Sequence, residues 1–402
     1  MTASPWITAA DASRLLRVSR ATLYAYVSRG YIRSQATSGR SRERRYSRDD
    51  VERVRRRADV RRNPEAAAAR ALQWGVPVLE SAITFIDGRT CYYRGHDAVA
   101  LARTKSVEDV ASLIWRGQFG EIFPVDAPPP AGVTPDPALS FVARAQILLA
   151  GAAVRDARAF DLRAASVART GWAILQLLTD AAREKRTAGG PPERIERALG
   201  RAWGVSPRGE DLLRAALILS ADHELNVSSF TARCVASAGS HPYAVAIAGL
   251  AALEGTRHGG STRRVESMLA SMRRARPVGR ALGERLRRGE AIDGFGHPLY
   301  REGDPRATAL LELLRDRYAR SAELRFIFDV IDAAIVATGE RPNLDFGLAA
   351  VGRVLRLPAG SALTLFAIGR TIGWIGQAIE QYETGQLIRP RAKYVGTAPV
   401  ET

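Results

Sequence analysis

A mainly α fold, in which a small winged helical domain precedes a much larger all-α domain, is what the 402-residue sequence predicts. Three observations carry this reading. Residues 1–65 hold 16 Arg against 7 Asp or Glu, a balance of +9, whereas the rest of the chain carries only +8. The first 30 residues contain two short stretches with one apolar face each. From about Asn63 the composition turns Ala-rich, apolar residues recur at helical spacing, and almost the only strand signal lies near residue 85.

Thr8-Ala9-Ala10-Asp11 reads as a helix start, and Ala12, Leu15 and Leu16 supply the inner face. Arg17-Val18 turns the chain, and Ser19 caps a second helix with Leu23, Tyr26 and Val27 inward, ending at Gly30. The polar stretch Ser34–Arg45, with Gly39 at its middle, fits a wing hairpin before a helix opened by Ser47-Arg48-Asp49-Asp50-Val51. Two short helices, a tight turn and a wing form a helix-turn-helix pattern. Further on, Ala82–Ile86, Asp87-Gly88 and Cys91-Tyr92-Tyr93 spell a β-hairpin. Ser106-Val107-Glu108-Asp109, residues 165–183 and Ser206-Pro207 before Leu212–Leu219 mark helices. Phe123–Pro137 and Gly189-Gly190-Pro191-Pro192 are breaks.

The composition excludes several classes. A hydrophobic fraction of 46% and a charged fraction of 25% argue against disorder. No apolar run approaches the ~18–20 residues of a membrane span. The first residues lack the basic and apolar regions of a secretory signal. Cys91 and Cys234 make no disulfide scaffold, and five histidines without a Cys/His cluster argue against zinc. The expectation is a soluble, cytoplasmic protein with no metal and no tightly bound cofactor. Only three of the 59 basic residues are Lys, so the total of +17 says less than where the charge sits. Its concentration at one end is the footprint of a polyanion-binding module.

Five histidines can be weighed singly. His96 beside the hairpin and His241 before Pro242 read as structural. His223 follows an apolar helix in a polar turn, His258 lies before Gly259-Gly260, and His297 follows Gly294-Phe295-Gly296. Glycines let a backbone approach a ligand closely. With Asp345 in Pro342-Asn343-Leu344-Asp345-Phe346, these three make a set of acid/base groups suited to an active site.

Seven ordered blocks then resemble the citrate synthase family. They are Ile83–Gly88 with Tyr93-Arg94-Gly95; Ala221–Arg233; Gly255 and His258-Gly259-Gly260; Gly294–His297 with Asp304–Ala307; Pro342–Phe346; Gly369–Trp374; and Arg389-Pro390-Arg391. The resemblance covers about residues 76–400. It implies a nearly all-helical homodimer, with a large domain at 76–259 and 356–402 and a small domain at 260–355 that closes over the substrates. The N-terminal 60 residues resemble the DNA-binding domain of MerR-type regulators and excisionases, joined by a linker at 61–75.

The resemblance also implies chemistry: condensation of an acyl-CoA with oxaloacetate, the acyl-CoA acting as co-substrate. Asp345 matches the base, His258 the donor to the enolate oxygen, and His297 the donor to the ketone. Arg306, Arg370 and Arg389 match the carboxylate partners, a task suited to planar guanidinium groups. His223 matches a further substrate contact. In the family the residue matching Arg389 comes from the other subunit, and Arg301 matches a contact to a coenzyme A phosphate. The helix-turn-helix resemblance implies double-stranded DNA as a partner, with Arg20, Thr22 and Tyr24 facing the groove and wing residues Arg40, Arg42, Arg44 and Arg45 on the backbone.

Three departures flank the expected acyl-CoA site: Thr256-Arg257, Pro298-Leu299 and Gly347-Leu348. They leave acetyl-CoA and propionyl-CoA, hence citrate and 2-methylcitrate, both open. Two function classes fit: an active enzyme with an added DNA-binding-type domain, and a metabolite-sensing transcription regulator with little or no turnover. The retained Asp345 favours the first, because a sensor needs the arginines but no base.

Overall fold

The computed structural model describes residues 6–36, 44–62, 79–120, 131–183, 193–275 and 277–397. It divides into two units, Met1–Glu80 and Ser81–Thr402. The first contains β1 (Trp6–Ile7), α1 (Ala9–Leu16), α2 (Arg20–Ser28), β2 (Ser34–Ala36), β3 (Arg44–Ser47) and α3 (Arg48–Arg62). Thr8 and Ser19 cap α1 and α2 by accepting the Asp11 and Thr22 N–H groups, each satisfying a donor that the first helical turn leaves open. Arg17, at φ 53°, makes the turn between them.

The wing forms as expected at its base: β2 and β3 are antiparallel, with Ser34 opposite Tyr46 and Ala36 opposite Arg44. Its tip, with Arg40 and Arg42, lies outside the described residues, as do most of the linker, Gly189–Pro192 and much of the Pro-rich loop. Sequence reading missed β1, which pairs with β3 through Trp6–Ser47 and Ile7–Tyr46; two residues are too few to show alternation. Helix α3 also runs to Arg62, two residues into the expected linker. Ile7, Ala12, Leu16, Leu23, Ile32, Tyr46 and Val51 close one small core. Asp50 ties α3 to the turn after α2. Its carboxylate accepts the Arg33 N–H at 3.0 Å and Nε at 2.8 Å, and these bonds pull its pKa down to about 2.

The second unit opens with the expected hairpin, β4 (Thr84–Ile86) and β5 (Cys91–Tyr93), to which β6 (His96–Asp97) adds a third strand. Helices follow: α4 (Ala98–Thr104), α5 (Val107–Arg116), α6 (Phe141–Ala153), α7 (Ala164–Ala181), α8 (Ile195–Ala202), α9 (Pro207–Leu219), α10 (Val227–Ser237) and α11 (Pro242–Leu253). Then come α12 (Gly260–Arg274), α13 (Val278–Arg287), α14 (Pro305–Tyr318), α15 (Ala322–Thr338), α16 (Leu344–Leu355) and α17 (Ser361–Thr384). Caps mark several starts as read: Ser106 and Asp109 form a reciprocal capping box on α5, and Pro207 takes the first turn of α9.

Helix α17 organises this unit. It is apolar and long enough to cross a membrane by length and composition, yet it is buried inside the fold. It packs against α5, α7, α9, α10, α11, α12 and α16. Two glycines permit its closest approach: a Cβ at Gly369 would lie 2.4 Å from the Leu217 carbonyl oxygen, and one at Gly373 2.3 Å from that of Ala221. This contact sets Arg370, between the two glycines, against the end of α9.

Candidate active site

The turn after α9 carries His223, buried with its Nε2 2.9 Å from the Tyr300 hydroxyl. Glu224, next in sequence, takes a left-handed φ of 53°, and Asn226 caps α10 by accepting the Ser229 N–H. Burial, then the positive charges of Arg306 and Arg370, hold the His223 pKa far below the ordinary imidazole value. The ring is therefore neutral.

Tyr300 leads to the second histidine. Its ring lies 4.8 Å from that of His297, whose ring is 5.2 Å from that of His223. His297 Nδ1 accepts the Leu299 N–H at 3.1 Å, so the neutral ring carries its hydrogen on Nε2. Burial, with help from Arg306, brings its pKa down to about 4.

His258 lies in the turn between α11 and α12. Its Nε2 meets Ser228 Oγ at 2.8 Å. That hydroxyl also receives the Trp374 indole N–H at 3.2 Å and donates its own hydrogen to Asn226 Oδ1 at 2.9 Å. Desolvation lowers the His258 pKa to about 4 as well.

Asp345 occupies the first turn of α16, where Asn343 Oδ1 accepts its backbone N–H. The loops bearing His297 and Asp345 are stitched together: Gly296 N–H donates to the Arg341 carbonyl, Asn343 N–H to the Gly294 carbonyl, and Asn343 Nδ2 to the Gly296 carbonyl. Burial raises the Asp345 carboxyl to about 6, while a Ser261 hydrogen bond and Arg306 pull the other way. At neutral pH it is mostly ionised and poorly solvated, which is the condition of an effective base.

Both inner arginines are buried. Arg306 is held by Asp304 through Nε at 2.9 Å and a terminal nitrogen at 2.8 Å, with its guanidinium 5.6 Å from the Tyr300 ring centre. Arg370 donates Nε to the Ser220 carbonyl at 2.7 Å and stands over Phe366, whose ring also meets that of His258. Burial lowers the Arg370 pKa to about 10, still cationic at neutral pH. Its field acts on Asp345, His258 and His223. Six predicted residues, His223, His258, His297, Asp345, Arg306 and Arg370, thus share one electrostatic neighbourhood.

The others stand apart. Arg301 and Arg389 are exposed, and neither makes an ion pair among the described residues. His241 is structural as expected, its Nδ1 accepting the Ala244 N–H at the start of α11. No cluster of three or more potential metal ligands occurs among the described residues. Sequence reading passed over Tyr300, Asp304 and Ser228, which touch the site residues without doing recognisable chemistry; Asp304 and Ser228 fall inside matched blocks, and Tyr300 lies between two of them.

In the first unit, Arg20 and Arg44 are exposed and Tyr24 is half-exposed. All three lie near Tyr46 and act on it electrostatically. Thr22 is partly buried, and its hydroxyl lies 3.0 Å from that of the capping Ser19.

Comparison with known proteins identifies relatives of both units. The family described as "Citrate synthase, C-terminal domain" matches residues 71–123 and 154–391, and a "Helix-turn-helix domain" matches residues 6–59. Citrate synthase 2 of Bacillus subtilis is 37% identical over 194 residues, 48% of this chain and 52% of that protein. 2-Methylcitrate synthase 2 of Corynebacterium glutamicum is 32% identical over 194 residues, 46% of this chain and 51% of that protein. The chain thus spans about half the length of these curated relatives. The crystal structure of citrate synthase from Thermotoga maritima superposes with a TM-score of 0.68 at 26% identity, covering 82% of this chain and 96% of that one. A Thermoplasma acidophilum citrate synthase, solved with carboxymethyl coenzyme A and oxaloacetate, shares the fold with a TM-score of 0.67 at 23% identity, covering 81% of this chain and 96% of that one. The chain belongs to the citrate synthase family and carries a helix-turn-helix domain at its N-terminal end.

Proposed function

We propose that the protein condenses a short acyl-CoA, acetyl-CoA or propionyl-CoA, with oxaloacetate to give citrate or 2-methylcitrate and free CoA. One observation carries this: a poorly solvated carboxylate, Asp345, shares its surroundings with two neutral histidines and two buried arginines. Asp345 takes a proton from the acyl α-carbon. The electron pair moves onto the thioester oxygen, which His258 stabilises with a hydrogen bond. Ser228, whose hydroxyl hydrogen goes to Asn226 Oδ1, holds the His258 ring in place through its Nε2. With its pKa lowered to about 4 by burial, His258 is neutral at neutral pH and acts on the enolate as a fixed hydrogen-bonding group rather than as an imidazolium acid.

The enolate carbon then forms a bond to the ketone carbon of oxaloacetate, whose oxygen takes the Nε2 hydrogen of His297. Water cleaves the thioester, releasing CoA. Arg306 and Arg370 pair with the oxaloacetate carboxylates and His223 gives a further hydrogen bond. Residues 260–355 close as a small domain over 76–259 and 356–402, with Arg301 toward a coenzyme A phosphate. The exposed Arg389 enters the site of a second copy, which makes the homodimer the catalytic unit. Incubation with oxaloacetate and each acyl-CoA, with mass spectrometry of the products, tests the reaction and its acyl preference.

The N-terminal unit supports a second role. Arg20, Tyr24 and Arg44 lie around Tyr46 on one basic surface, which suits double-stranded DNA in a cytoplasmic protein. A dimer would present two such surfaces. The competing reading, a regulator that senses oxaloacetate or acyl-CoA without turnover, is tested by the same product analysis.

A further inference from the structure

We infer that Tyr300 is a positioning residue that fixes the tautomer of His223, leaving the ring hydrogen on Nδ1 as the donor offered to a dicarboxylate substrate. The inference rests on the proposed function only for the identity of that substrate. The tautomer follows from hydrogen-bond arithmetic.

His223 Nε2 and the Tyr300 hydroxyl are 2.9 Å apart and both are buried. One hydrogen lies between them, from either side. If Nε2 supplied it, the hydroxyl hydrogen would need another acceptor. Among the described residues no other acceptor lies within hydrogen-bond distance of that hydroxyl, and the buried Cys91 thiol, its pKa pushed up to about 11, stays protonated. A protonated sulfur is a weak acceptor and its own S–H is a weak donor, whereas a neutral imidazole nitrogen is a strong acceptor. The favourable order has the Tyr300 O–H donating to His223 Nε2. A neutral imidazole then carries its hydrogen on Nδ1, which has no protein partner among the described residues. Neutrality is secured by burial and by the facing charges of Arg306 and Arg370, with His297 also alongside.

The Tyr300 ring does more than carry this hydroxyl. It packs against both His223 and His297, and its face meets the Arg306 guanidinium. Arg306 is in turn fixed by Asp304. Tyr300 therefore touches three of the six clustered residues, and removing only its oxygen separates the hydrogen bond from the packing.

The test uses full-length protein labelled with ¹⁵N-histidine. Long-range proton–nitrogen correlation spectra distinguish the tautomers, and the His223 signals are assigned by their loss in His223→Gln. The expected wild-type spectrum shows protonated Nδ1 and bare Nε2 for His223. In Tyr300→Phe that preference should shift toward Nε2–H. Oxaloacetate affinity, measured by calorimetry, should fall about tenfold, the loss of one good hydrogen bond, while kcat changes less than KM. A wild-type Nε2–H tautomer overturns the inference, as does an unchanged tautomer in Tyr300→Phe. The wild-type spectrum decides even if the Phe variant is unstable. Turnover does not enter it, so an inert protein with Nδ1–H would defeat the proposed reaction alone, and an active protein with Nε2–H would defeat this inference alone.

Discussion

Asp304 holds Arg306 from two residues earlier in the chain, using both carboxylate oxygens, and the same carboxylate accepts the Leu344 N–H at 3.0 Å. One buried acid therefore joins the arginine at the start of α14 to the turn that presents Asp345 on α16. Replacing Asp304 by Asn keeps the shape and removes the charge. Arg306 would remain buried without its counter-ion, which typically costs about 3–5 kcal/mol. Thermal or urea unfolding should register a loss of that order. An unchanged midpoint would mean that Arg306 finds compensation elsewhere.

The Asp345 carboxyl, raised to about 6, gives two pH dependences. As the base it must be ionised, so turnover should fall as pH drops through about 6, while His258 and His297, near 4, stay neutral across that range. Stability runs the other way. A carboxyl with a folded pKa above its unfolded value of about 4 contributes stability that is present below pH ~4 and lost as pH rises through about 6. Asp345→Asn should therefore be more stable than wild type at pH 7–8, by on the order of 1–2 kcal/mol after solvent screening. The difference should vanish near pH 4. A variant equally or less stable at neutral pH would contradict the buried-base picture.

Arg370→Ala should weaken oxaloacetate binding about 10–100-fold and leave CoA binding nearly unchanged, since charge-assisted hydrogen bonds contribute ~1.5–3 kcal/mol. Calorimetry with each ligand separates the two. Arg389→Ala should weaken oxaloacetate in the same way, although its side chain is exposed in this chain. Mixing Arg389→Ala with Asp345→Asn subunits should restore some activity, because one site of a heterodimer then has both groups. No recovery, with heterodimers verified, would count against a shared site.

Helix α2 and strand β3 place Arg20, Tyr24 and Arg44 together. Double-stranded DNA binding should weaken steeply with salt and fall further in an Arg20→Ala, Arg44→Ala variant, as measured by mobility-shift titration. Thr22→Ala should act mainly through the helix cap, seen as reduced thermal stability of this unit. Binding that is absent, or indifferent to both arginines, would leave the basic unit without this role.

The limits of sequence reading here have physical causes. Caps, turn glycines and apolar periodicity are local, so Ser19, Ser106, Pro207 and the β4–β5 hairpin were legible. Histidines in glycine-lined loops were legible too, because few residues compete for that chemistry. What escaped depends on residues distant in sequence. Tyr300 matters because the chain folds His223 onto it, 77 positions away. Gly369 and Gly373 matter because α9 lies against them. The strand β1 exists only because β3 offers it an edge.

The central claim is that Asp345 drives condensation of an acyl-CoA with oxaloacetate. Its most direct test is the rate of CoA thiol release by purified full-length protein given oxaloacetate and acetyl-, propionyl- or butyryl-CoA, compared with Asp345→Asn. The account predicts oxaloacetate-dependent thiol release with at least one of these, reduced about 10²–10⁴-fold in a correctly folded Asn variant. A wild type inert with every acyl-CoA, or an Asn variant as active as wild type, would contradict it.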